Sequence, residues 1–136
     1  MADLLIYETG NGGDLKLRGN DLAMVDGVEN MPYLACFGGN VEGNWWGNEL
    51  LMPNRPDRHF VSETERTLNS VALNSAGRVK IEQAVLNDLA FLKKAMPGTS
   101  ISVSASIAGV DKVVIKVNIS GEQTVFVWNP ETQELQ

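Results

Sequence analysis

From Ser100 to Ile107 the chain alternates hydroxyl and apolar residues without a fault, Ser-Ile-Ser-Val-Ser-Ala-Ser-Ile. A period of two sends successive side chains to opposite faces of a strand, so this segment buries one face and coats the other with hydroxyls. Val113, Ile115, Val117 and Ile119 repeat the alternation, with Lys116 and Asn118 opposite. Ala108-Gly109-Val110-Asp111 turns the chain between them, and after Ser120-Gly121-Glu122 a third run, Thr124–Trp128, precedes Pro130. Connections this short join antiparallel neighbours, which predicts a meander over 100–107, 112–119 and 124–128.

A sheet with one apolar face needs a cover, and the preceding segment supplies it. Ile81, Val85, Leu89, Leu92 and Met96 recur at helical spacing, while Lys80, Glu82, Asn87, Asp88, Lys93 and Lys94 are expected to face water. The helix is predicted from Gly77 to Ala95, ended by Pro97-Gly98. Ahead of it, Ser62-Glu63-Thr64-Glu65 fits a capping box and predicts a helix from Glu63 to Leu73. Its stripe is Leu68, Val71 and Ala72, and Asn74-Ser75 breaks or re-caps it. The fold class is therefore α+β, an antiparallel C-terminal meander packed against two helices.

The first 60 residues read differently. They hold nine of the 13 glycines and seven of the 12 asparagines, so this half is turn-rich with short strands. A hairpin is predicted from Leu15–Leu17 and Leu22–Val25 around Arg18-Gly19-Asn20-Asp21. Asp3–Tyr7 offers a further strand, Asn11-Gly12-Gly13-Asp14 reads as a loop, and Glu29–Phe37 as a short helix with Pro32 in its first turn. From Gly38 to Phe60 nothing is periodic. A loop of ~20 residues in a compact domain usually carries function or an interface. The whole chain, 1–136, reads as a single domain, long enough to bury roughly two-thirds of its unfolded surface.

The chemistry-bearing residues are few. His59 is the sole histidine and Cys36 the sole cysteine, so neither a zinc site of the usual kind nor an internal disulfide is expected. His59 reads as a surface-loop histidine, because a base without a nucleophile has no role. Cys36, within the apolar Tyr33–Phe37 stretch, reads as a small core residue. Asp14, Asp21 and Asp26 lack the spacing of a calcium loop, and Gly10-Asn11-Gly12-Gly13 matches no phosphate-binding fingerprint. No cofactor is expected. Seventeen acids against 11 bases give a net charge of −6, which argues against nucleic acid as a partner. No apolar run approaches the ~18 residues of a membrane span, and the N-terminus lacks a secretory pattern, so a soluble chain made inside the cell is expected.

Trp45-Trp46 is the most informative pair in the long loop. Adjacent rings cannot both point into one core, so one anchors the loop and the other meets solvent or a partner, unless both partly cover this chain's own core. Glu42 and Glu49 flank them, and a carbohydrate-active or cell-wall-degrading enzyme using that pair is the alternative reading. In the last strand, Phe126 and Trp128 share one face and Val125 and Val127 the other; as the final strand of the meander it is expected to be an open edge.

Three ordered motifs carry a resemblance: Gly13-Asp14-Leu15-Lys16-Leu17, then Asn20-Asp21-Leu22-Ala23-Met24-Val25-Asp26-Gly27-Val28-Glu29, then Asn44-Trp45-Trp46-Gly47-Asn48. Together with the helices of 62–96 and the strands of 100–119, the chain resembles the small baseplate-wedge proteins of Mu-like contractile-tailed phages. More distantly it is similar to the T4 wedge subunit that initiates sheath assembly. Two departures stand out: Lys94-Ala95-Met96-Pro97-Gly98 takes the place of the broader family's Glu-Pro-Arg motif, and Thr124–Trp128 is an added strand. The resemblance implies a structural, non-catalytic subunit of a phage, prophage or tailocin baseplate, in the virion tail and, during assembly, the host cytoplasm. Its implied partners are other wedge proteins and tail sheath and tube subunits, with a homo-oligomer left open. The residues expected to bind partners are Trp45, Trp46, Val125, Phe126, Val127 and Trp128.

Overall fold

In the computed structural model, which describes residues 2–9, 12–26, 29–38, 44–45 and 47–135, the chain opens with six very short strands. These are β1 (Ala2–Leu4), β2 (Ile6–Thr9), β3 (Gly12–Leu15), β4 (Leu17–Arg18), β5 (Asp21–Leu22) and β6 (Met24–Asp26). They pair antiparallel as three separate ribbons, β1 with β6, β2 with β3 and β4 with β5. Of the expected hairpin only the part next to the turn forms, as β4–β5, while Leu15 pairs with Ile6, and Met24 and Val25 pair with β1; Gly19 stands at φ +69° in the first turn position, where a Cβ would be strained. Residues Gly12–Asp14, expected in a loop, are instead strand: Gly12, Gly13 and Asp14 sit opposite Thr9, Glu8 and Tyr7. Ladder bonds use backbone alone, so glycines can serve a short ribbon that side-chain propensity disfavours.

The ribbons converge on three residues that belong to none of them. Leu5 N–H donates to Ala23 O (2.9 Å), Ala23 N–H to Lys16 O (2.8 Å) and Lys16 N–H to Leu5 O (2.9 Å), a closed ring of three backbone hydrogen bonds. Asn30 then ties this corner to the helices. Its buried amide accepts from Ile6 N–H (3.1 Å) and donates to Leu4 O (2.6 Å) and Asp3 Oδ2 (3.2 Å).

Helix α1 (Met31–Phe37) follows, with Pro32 in its first turn as expected. The stretch expected to be a loop contains a short helix, α2 (Gly47–Leu51), and a 3₁₀ turn at Pro56–Arg58. Helix α3 (Thr64–Ser70) is shorter than the predicted 63–73, and its expected capping box does not form. The Ser62 hydroxyl donates to Cys36 O (2.8 Å). The cap comes instead from a distant carboxylate: Asp88 accepts from Glu63 N–H (2.8 Å), Thr64 N–H (2.9 Å) and Thr64 Oγ1–H (2.7 Å). Asp88, expected in water, is buried for that reason.

The predicted long helix is two, α4 (Ser75–Leu89) and α5 (Phe91–Ala95). Between them the Ala90 N–H reaches back three residues to Asn87 O (3.3 Å), a tighter step that nothing in the local sequence marks. Asn74 does re-cap the chain, its side chain accepting from Gly77 N–H at 2.9 Å. Gly77 sits against the Ala72 carbonyl oxygen, which a Cβ would strike. A helical Gly→Ala change ordinarily gains about 1 kcal/mol. Gly77→Ala is expected to do the reverse, and a lowered Tm in thermal melting checks it.

The C-terminal sheet comprises β7 (Ile101–Ile107), β8 (Val113–Ile119), β9 (Glu122–Asn129) and β10 (Glu134–Leu135), antiparallel in the order β10-β9-β8-β7. The predicted three-strand meander is present, and β10 adds a fourth strand of two residues. On the inner face the register sets Ala105, Ile115 and Phe126 in a row and Ile107, Val113 and Trp128 in the next. Ile81, Val85 and Leu89 of α4 and Leu92 of α5 pack on that face, as their spacing predicted. From α1, Phe37 stacks on Trp128 (centroids 6.0 Å) and meets Phe126 edge-on (5.1 Å). Among the described residues no helix is long and apolar enough to cross a membrane.

Candidate partner-binding site

The sheet has two edges with different fates. On β7 the Ala105 N–H points outward and is taken by Glu82 Oε1 of α4 (2.9 Å), itself held by Arg78 at 2.9 Å. A charged side chain laid along an edge blocks strand pairing there. On β9 the outer side is occupied by β10, but only opposite Trp128 and Asn129. The expectation of an uncovered last strand therefore holds for part of it. Chain reversal at Asn129 lets residues 134–135 fold back, the Asn129 side chain accepting from Glu131 N–H (2.9 Å).

Turn geometry identifies which β9 groups face outward. Ser120 (φ 50°) and Gly121 (φ 93°) form a two-residue primed turn, so the flanking pair Ile119–Glu122 is hydrogen-bonded. Glu122, Thr124, Phe126 and Trp128 then bond to β8, while the N–H and C=O groups of Gln123, Val125 and Val127 point away from it. The Gln133 N–H bond to Asn129 O (2.8 Å) follows the same parity. Among the described residues no strand lies beside Glu122–Val127 on that side. A cleft of about 640 Å³ runs along it, walled by Leu5, Ile6, Glu29, Tyr33 and Leu135.

Side chains on the edge divide as the alternation predicted. Val125 is 50% exposed and Val127 half-buried, whereas Phe126 (7%) and Trp128 (2%) are in the core. Phe126 and Trp128, expected to bind partners, thus pack on this chain's own helices; only the backbone of β9 and its Val125/Val127 face are presented outward.

The second expected surface also takes shape. Asn48, buried in α2, brackets Phe60 like a paired strand: its amide donates to Phe60 O (2.7 Å) and accepts from Phe60 N–H (2.9 Å). Asn44 bridges Val61 alongside. This draws three rings together, Trp45 edge-on to Phe60 (5.8 Å, 87°) and Phe60 edge-on to Phe91 (5.4 Å, 78°). Gly47 lies so close to Trp45 that a Cβ there would strike the indole. The rings, with Met31 and Leu34 of α1 and with Asp88, line a groove of about 390 Å³. Trp45 anchors the segment while remaining half-buried. Trp46 and Glu42 lie outside the described residues. Phe60, Phe91 and Asp88 were not singled out from the sequence as site residues.

Glu49 is exposed in the first turn of α2. His59 Nε2 lies 2.7 Å from Met52 O; a carbonyl only accepts, so that nitrogen donates and latches the turn. Burial pushes the Cys36 thiol up to about 12, which leaves no thiolate at neutral pH. Among the described residues no group of three His, Cys, Asp or Glu side chains is placed to hold a metal ion. No protein-family model, curated protein or solved structure matches this chain.

Proposed function

We propose that this chain is a structural subunit of a contractile-tail baseplate, of a phage, a prophage or a tailocin, which works by binding neighbouring chains rather than by catalysis. Support comes from the ordered motifs of residues 13–48 that resemble the small wedge proteins. The observation that carries the mode of action is the β9 edge, with the Gln123 and Val125 backbone groups directed into a cleft. An extended segment of a wedge or sheath neighbour adds there as a further strand, where backbone hydrogen bonds give affinity and alternating side chains give register.

Val125→Pro tests this. Proline removes one outward N–H and leaves the β8–β9 bonds intact, a position where edge strands tolerate it. The purified variant is expected to melt within a few degrees of the parent protein and to be absent from assembled tails. A variant that melts normally and is incorporated normally would remove this edge from the assembly contact.

A further inference from the structure

The groove beside Trp45 has a composition that discriminates among occupants. Its walls are aromatic and aliphatic, yet Asp88 lies in its lining, and among the described lining residues no cation accompanies it. Oδ2 of Asp88 accepts from Glu63 N–H, Thr64 N–H and Thr64 Oγ1–H, whereas among the described residues Oδ1 accepts only from Glu63 N–H at 2.8 Å. A carboxylate offers about four lone-pair sites, so Oδ1 retains one. Phe60 is flanked by Trp45 and Phe91, each at a near right angle to it, and all three rings line the same groove. Ring faces carry the negative end of the aromatic quadrupole and attract cations.

We propose that this groove receives a cationic side chain, a lysine or arginine presented by a partner chain, with its aliphatic stem against Phe60 and Phe91 and its head directed among the groove's rings toward Asp88 Oδ1. An apolar anchor fits the walls, but it would leave the Asp88 charge buried with no counter-ion, which is costly. A cation gains the ring attraction and offsets that charge. Burial already pushes the Asp88 carboxyl above its ordinary value, against the hydrogen bonds from Thr64 and Glu63. The net charge of −6 adds a favourable approach for a basic partner. The inference is independent of the baseplate reading and of the β9 edge.

The test uses Nα-acetyl-arginine methylamide against two neutral analogues, the citrulline derivative, which keeps the shape without the charge, and the norleucine derivative, which is purely apolar. Binding is followed by NMR at the Trp45 indole N–H and the Glu63 and Thr64 amides. The arginine compound is expected to shift these signals saturably and at least ~10-fold more tightly than either analogue, the range of one desolvated cation–aromatic contact. Phe91→Leu, in a half-buried position, is expected to weaken arginine binding, and Asp88→Asn to abolish the preference over citrulline. Equal binding of citrulline, tighter binding of norleucine, or no saturable shift with arginine would each overturn the proposal.

Discussion

Trp128→Ala is expected to lower the unfolding free energy by about 3–5 kcal/mol, the range for deleting a fully buried aromatic side chain. Trp128 is 2% exposed, sits opposite Val113 in the register and stacks on Phe37 of α1, so truncation opens a cavity where sheet and helices meet. Its buried indole Nε1 has no hydrogen-bond partner among the described residues, so Trp128→Phe forfeits no bond to them and is expected to keep much of the stability. Val125→Ala, on the opposite face of the same strand, is expected to change stability by less than ~0.5 kcal/mol. Denaturant melts of the three variants check the order. Trp128→Ala as stable as the parent would mean that the ring serves a partner and not the core.

Asp88→Ala is expected to cost about 3 kcal/mol, because the Glu63 and Thr64 N–H groups at the start of α3 lose their acceptor, at roughly 1–3 kcal/mol for each buried donor left unpaired. The pH dependence has a definite sign. Burial, the largest influence on Asp88, raises its folded pKa above the ordinary 3.8, and the hydrogen bonds from Thr64 and Glu63 oppose it. The folded state therefore binds the proton more readily than the unfolded one. The corresponding stability is fully present below pH 3.8 and is lost as pH rises through the folded value. Asp88→Asn is expected to flatten that slope, measured as the difference in Tm between acidic and neutral buffers.

The C-terminal sheet was legible because period-two alternation survives burial unchanged, and the α4 stripe because Ile81, Val85 and Leu89 all pack on one sheet face. Asp88 was misread although its position was written in the same periodicity. It lies seven residues after Ile81 and three after Val85, on the apolar side of α4, and only its polar identity pointed to water. What makes a carboxylate acceptable there is the start of α3, 24 residues earlier in the chain, and no local pattern encodes that meeting. The aromatic groove was half legible. Trp45 announced itself, but Phe60 and Phe91 reach it through the Asn48 bracket and through the packing of α5, which are tertiary events. Strand β10 is two residues long and too short for any alternation to show.

If guest strands add at β9 as proposed, the unequal edges of the C-terminal sheet bear on the assembly this chain can enter. A protein with two live edges can hand a sheet on from neighbour to neighbour, and such head-to-tail contacts grow into open-ended fibres unless rotation closes them. Here Glu82 takes the outward Ala105 N–H in the middle of β7, so a strand added at β9 as proposed is not matched by a second one there. Growth by this route stops at a fixed stoichiometry: one guest strand per chain, or a closed pair if two copies meet edge to edge. On the proposed reading, the C-terminal sheet takes a guest strand at one edge and does not pass one on from the other.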